Sequence, residues 1–200
     1  MEINITDKGD ERQYFWLILL VTITSIFSLF GGIMEPDGAL YASIAKSMAL
    51  NADWINLYVR GQDWLDKPHL TFWIAAFFFK LLGINSLAYK LPSLLIGWIG
   101  CYYLYLLSSK LCDRMTALIA VLIYMTAFHV AISNFDVRAE IYLSTFTFAA
   151  TYHYYRAYES SAVHIIAGFF LLACAVMVKG IFVVIPVLGG FICYWLFNKK

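Results

Sequence analysis

Residues 69–82 read HLTFWIAAFFFKLL, an apolar run of fourteen residues with Lys80 close to its end. A hydrocarbon core takes roughly 17–25 helical residues to cross, so this length suits an interfacial or re-entrant helix better than a spanning one. The choice sets the topology, because counting the run as a span would invert every segment that follows.

Working outward, longer apolar stretches occur at Tyr14–Ile33, Tyr89–Ser109, Met115–Ile132, Ile141–Tyr158, Val163–Val178 and Ile181–Phe197. Each is close to membrane-crossing length. With 69–82 left at the surface, residues 1–13, Lys110 and Arg114, Arg156, and Lys199 and Lys200 all fall on one side. By the positive-inside rule that side is the cytoplasm. The expected fold is all-α: a polytopic membrane helical bundle of about six transmembrane helices, with interfacial helices in a long first external loop over 34–88. Residues 1–13 form a cytoplasmic tail. The first apolar run is too long for a signal-peptide core and ends in Gly-Gly-Ile-Met rather than a small-residue cleavage site, so it reads as a retained span. Nothing divides 1–200 into separate domains.

Composition agrees. Apolar residues make up 62% of the 200 positions and charged residues 14%, with a mean hydropathy of +0.74, which points to lipid as the solvent. The net charge of +1 offers no basic face for nucleic acid. Cys101, Cys112, Cys174 and Cys193 are scattered without metal-ligand spacing, so neither a disulfide nor a zinc site is expected. The tyrosine clusters 102, 103, 105 and 152, 154, 155 read as headgroup anchors.

This topology gathers the unusual polar residues on the outer face. Glu35-Pro36-Asp37-Gly38 follows the first span, with Pro36 suited to start a helix and Asp37 in its first turn. Downstream, Leu40, Tyr41, Ile44, Ala45 and Met48 recur at helical spacing and would let that helix lie flat on the membrane. A carboxylate here commonly caps a helix; the functional alternative is a base that takes a proton from an acceptor hydroxyl. Asp66, Lys67, Pro68 and His69 stand where the loop returns to the bilayer. Capping and snorkelling compete there with phosphate binding by Lys67, and His69 reads as a hydrogen-bonded interfacial residue. In the short connection 134–140, Asp136, Arg138 and Glu140 crowd together, and Arg138 offers a planar fork for phosphate oxygens. Lys179-Gly180 separates two apolar stretches, Gly180 permitting a tight turn.

The order and spacing of EPDGALYASIAKSM, DWINLYVRGQDWLDKPHLTFWIA, FKLLGINSLAYKLPSLL, NFDVRAEIYL and Lys179-Gly180 resemble the amino-terminal module of C-type membrane glycosyltransferases. Protein O-mannosyltransferases and lipid A aminoarabinose transferases are the nearest groups. The resemblance implies an outer-face cavity for a polyprenyl-phosphate-linked sugar, with Asp37 as catalytic aspartate and Lys67 at the position contacting the carrier phosphate. Arg138 and Lys179 would assist with phosphate, and Glu35, Asp66, His69, Asp136 and Glu140 would support the site. Gly38 and Leu40 depart from a pattern in which many relatives carry a second acidic residue and an arginine.

The resemblance further implies transfer from the carrier to a hydroxyl or phosphate acceptor on lipid A, a glycan or a protein. It places the chain in a bacterial inner membrane with the site facing the periplasm or exterior. Relatives are longer, so the chain reads as an amino-terminal fragment, incomplete at its carboxy terminus and inactive alone. Metal dependence stays open. A transporter or flippase of a lipid-linked substrate is the rival reading; charges collected at one boundary rather than at mid-membrane argue against it.

Overall fold

The computed structural model describes residues 8–33, 36–159 and 162–197. Nine α-helices and a small β-hairpin make up most of them: α1 Lys8–Ile26, α2 Asp37–Asn51, β1 Tyr58–Val59, β2 Gln62–Asp63, α3 Leu70–Leu82, α4 Ser86–Leu111, α5 Arg114–Thr126, α6 Phe128–Asp136, α7 Ala139–Glu159, α8 Ala162–Lys179 and α9 Gly190–Phe197. A 3₁₀ turn at Phe27–Phe30 extends α1, and a 3₁₀ turn and a π turn over Ile181–Gly189 lead into α9.

Six segments pack together in the bundle: α1, α4, the α5–α6 pair, α7, α8, and the stretch from Ile181 to Phe197. Two of them, Asp10–Phe30 and Ser86–Leu111, are single helices long and apolar enough to cross a membrane. The expected third span over Met115–Ile132 is instead broken, with α5 and α6 meeting at 54°. At Ala127 the backbone is extended (φ −58°, ψ 129°), which ends one helix and starts the next. The stretch 181–197 likewise departs from one continuous helix. α1 keeps Phe15, Trp16, Leu20, Ile23 and Phe27 outward, as a helix bathed in lipid does.

The run that set the topology forms α3, thirteen residues long and roughly 20 Å by helical rise, too short to cross the roughly 30 Å core. It packs against α2 through Tyr41, Ile44, Ala45 and Met48 on one side and Phe72, Ala75, Ala76 and Phe79 on the other. The apolar face of α2 is therefore used up by protein, correcting the expectation that it lies against the membrane. Tyr89, Val137, Ala139, Tyr142 and Val178 complete the same core, so α2 and α3 sit on the ends of α4, α7 and α8. Each of the large aliphatic and phenyl side chains among them contributes roughly 1.5–3 kcal/mol when removed from water.

The loop 52–69, read from sequence only as structured, contains the hairpin. Tyr58 pairs with Asp63 and Val59 with Gln62 across Arg60-Gly61, both at positive φ (52° and 79°), the backbone of a tight primed turn. Its outgoing strand carries Trp64 into an edge-to-face cluster with Tyr41 and Phe72, centroids 5.4–6.1 Å apart.

Close helix contacts hold the bundle. A Cβ at Gly100 would stand 3.2 Å from Thr145 Cα, so α4 and α7 touch backbone to backbone, and the Thr145 hydroxyl donates to the Ile96 carbonyl at 2.9 Å. Tyr154 is buried, its ring lying on Gly168 and stacked on Phe191 at 5.1 Å. It is a core residue, not the headgroup anchor expected of it, whereas Tyr102 is 60% exposed. All four cysteines are free. At the far end from α2 and α3, Glu11 pairs with Arg114 at 3.3 Å, bringing the start of α1 beside the α4–α5 turn.

Candidate functional site

Asp37 is the first residue of α2, preceded by Pro36 in helical conformation (φ −86°, ψ −31°) as the sequence predicts. Pro36 at the cap position makes no side-chain hydrogen bond, and Asp37 follows it as the acidic residue of the first turn. Gly38 sits directly on Asp136: a Cβ added to it would come within 2.8 Å of the Asp136 carbonyl oxygen. One turn further, on the same face as Asp37, the Tyr41 hydroxyl accepts a hydrogen bond from the Lys67 ammonium. The Tyr41–Trp64–Phe72 cluster holds the strand that delivers Lys67.

The connection 134–140 is shorter than the sequence suggests. Asn134, Phe135 and Asp136 belong to α6, Val137 takes left-handed backbone (φ 48°), and Glu140 is already in the first turn of α7. The reversal leaves Asp136 1% exposed, accepting a 2.7 Å charge-assisted hydrogen bond from Arg138 Nε. Its other oxygen, Oδ1, faces Gly38 and has no hydrogen-bond partner among the described residues. That bond to Asp136 raises the Arg138 guanidinium above its ordinary pKa, and the fields of Asp37 and Glu140 add to it. Arg138 is a permanent cation close enough to Asp37 for the two charges to act on each other.

Lys179 ends α8 and pairs with Glu140. Gly180 follows at φ 113°, a conformation side chains rarely adopt, which turns the chain at once into the next segment. The Lys67 ammonium is near enough for its charge to act on Glu140. Asp37, Lys67, Asp136, Arg138, Glu140 and Lys179 thus form one electrostatic cluster, three carboxylates against three cations, at one end of the bundle.

Other expected residues stand elsewhere. His69 bonds to the Ile55 carbonyl at 2.6 Å and lies beside Trp73, pinning the loop, and α3 starts after it with no side-chain cap. Asp66 is exposed, and His69 rather than Asp66 stands at the cap position of α3. Glu35 lies outside the described residues. Beside Pro36 a groove of about 480 Å³ runs between α2 and the hairpin, lined by Leu40, Ser43, Ser47, Tyr58 and Arg60.

Sequence reasoning missed Tyr41, taken only as part of the apolar face of a helix lying on the membrane, and Lys90, counted inside an apolar stretch. A lysine at the start of a spanning helix was the available signal, because an ionisable group there needs a partner. Lys90 is 1% exposed.

A helical membrane bundle with a two-signed charge cluster over one end places the protein in the class of polytopic helical membrane proteins. Residues 66–200 match the family model described as dolichyl-phosphate-mannose-protein mannosyltransferase, and the chain belongs to that family. It is 28% identical over 184 residues to the undecaprenyl phosphate-alpha-4-amino-4-deoxy-L-arabinose arabinosyl transferase of Edwardsiella ictaluri, covering 88% of this chain and 33% of that protein. An uncharacterized protein of Aquifex aeolicus is 26% identical over 150 residues, 74% of this chain and 30% of the relative. The crystal structure of ArnT from Cupriavidus metallidurans bound to undecaprenyl phosphate superimposes with a TM-score of 0.79 at 16% identity, over 97% of this chain and 37% of that one. The chain thus spans about a third of the length of these relatives.

Proposed function

We propose that this protein is an inverting glycosyltransferase that takes a sugar from a polyprenyl-phosphate carrier, with Asp37 as general base. The observation that carries the reading is the convergence of Asp37, Lys67, Arg138 and Lys179, from four distant segments, on one end of the bundle. The arabinosyl transferase of Edwardsiella ictaluri, named for an undecaprenyl phosphate-linked sugar, and the ArnT structure bound to undecaprenyl phosphate support the donor class.

In the reaction, Asp37 accepts the proton of an acceptor hydroxyl while the oxygen of that hydroxyl bonds to the anomeric carbon. The bond from that carbon to the carrier phosphate breaks, and the electron pair leaves on a phosphate oxygen. Lys67, with Arg138 or Lys179, neutralises the departing charge. Three cations and three carboxylates cancel before the carrier arrives, so a phosphate is accommodated by competing for Lys67 and Lys179, while Arg138 stays fixed by Asp136. Phosphate is already a competent leaving group, which makes orientation and charge neutralisation the main tasks. The acceptor belongs to lipid A, another glycan or a protein. The cluster faces the periplasm or exterior of a bacterial inner membrane, consistent with Lys110 and Arg114 at the opposite end.

The test is mass spectrometry of envelope lipids and glycans with and without the gene, followed by Asp37→Asn and Lys67→Ala in the full-length gene product. Asp37→Asn should lower transfer by roughly 10²–10⁴, and Lys67→Ala should weaken use of the carrier. Normal transfer by Asp37→Asn removes Asp37 from the role of base.

A further inference from the structure

We infer that Lys90 is a positioning residue that anchors the end of the first span and, through it, the segment carrying Asp37. The inference rests on the reading of Asp37 as the base.

Lys90 lies in the second turn of α4, with its side chain fully enclosed. Its ammonium donates to three backbone carbonyls: Ser28 at 3.0 Å, Gly31 at 3.0 Å and Gly32 at 2.8 Å. These carbonyls stand where the first span ends, since Gly31 is extended (φ −73°, ψ 160°) and the helical bonding pattern stops there. The last carbonyls of a helix have no intrahelical donors, and they sit at the negative end of its dipole. A lysine ammonium has three donors, and here each has an acceptor. No donor remains for a substrate, so Lys90 acts through the backbone it holds.

The segment held is the one that matters to the site. Gly32 precedes Asp37 by five residues, and a Gly-Gly pair is the most freely moving backbone a chain contains. Without a tether, Gly31-Gly32 would let the start of α2 swing relative to the bundle. The same ammonium lies 5.9 Å from the ring centroid of Phe135, the residue before Asp136. Lys90 therefore borders both chain segments that meet at the Gly38–Asp136 contact, one leading to Asp37 and the other to Asp136 and Arg138. An apolar residue at this position would fill the space but remove the ammonium donor from all three carbonyls, leaving Ser28 with the long 3.4 Å bond from the Gly31 N–H.

The experiment compares Lys90→Met and Lys90→Arg in the full-length protein reconstituted in nanodiscs. Amide hydrogen exchange is read without any donor. Loss of protection in Lys90→Met confined to the first two turns of α2 and the end of α6, with α7 and α8 unchanged, is the expected result, and Lys90→Arg should recover part of it. In transfer assays, Lys90→Met should lower kcat per folded molecule by roughly 10- to 100-fold with little change in donor KM, as a base displaced from its position does. Unchanged exchange in α2, or unchanged kcat per folded molecule, overturns the inference. Protection lost uniformly over all helices also overturns it, since that marks general destabilisation. Transfer that survives Asp37→Asn overturns the catalytic reading alone, because the exchange measurement does not depend on it.

Discussion

Gly38 and Asp136 are in direct contact: the first turn of α2 rests on the last residue of α6 with no room for a side chain between them, a Cβ at Gly38 falling 2.8 Å from the Asp136 carbonyl oxygen. The obstacle is backbone and a buried carboxylate held by Arg138, neither of which moves easily. This contact sets where Asp37 stands relative to Arg138. It also gives a physical reason for the glycine at position 38.

Gly38→Ala should push α2 away from α6. Overpacking of this kind costs roughly 1–3 kcal/mol, read as a lower unfolding midpoint, and kcat should fall more than donor KM rises because Asp37 moves with the helix. Wild-type kcat in this variant would show that the contact does not control the site.

Tyr41→Phe removes the hydroxyl that accepts from Lys67 while keeping the aromatic cluster with Trp64 and Phe72. Without this tether Lys67 is free to leave the place where it meets the carrier phosphate, so donor KM should rise by up to roughly tenfold with a smaller change in kcat. Titration with undecaprenyl phosphate checks it. An unchanged affinity would mean Lys67 needs no tether.

Glu140 and Lys179 should behave as one unit. Both side chains are about one-third exposed, so solvent screens them and the coupling in a double-mutant cycle of Glu140→Gln and Lys179→Met should be modest, roughly 0.5–1 kcal/mol. Strictly additive losses would show the pair to be incidental.

Gly180→Ala places a side chain at φ 113°. Strain of this type costs of order 1–3 kcal/mol, and relief by rotating the backbone would carry Lys179 away from Glu140. Lower thermal stability together with weaker carrier binding is expected; full stability would indicate that the turn relaxes without cost.

Hydropathy is a local property, and what depends on it was legible in the sequence. Residues 69–82 were too short to span, and the structure gives α3 the length that follows. Pro36 and Asp37 marked the start of α2, and Gly180 marked the turn after Lys179. The Tyr41, Ile44, Ala45 and Met48 stripe showed a helix with one apolar face, although it could not say whether lipid or protein covers that face.

The sequence by itself determined that this chain is a helical membrane bundle, which segments are apolar, and that its unusual charges fall in a few short connections. Only the tertiary structure decided which charges meet: Lys67 with Tyr41 across 26 positions, Lys179 with Glu140 across 39, and Lys90 with the carbonyls of Ser28, Gly31 and Gly32 across about 60. It also decided that the third span breaks and that the α2 face is spent on α3. The reason is physical. Periodicity and chain length record what each segment prefers as solvent, whereas the pairing of distant polar groups is set by how helix ends stack, and no local pattern in the residues encodes that.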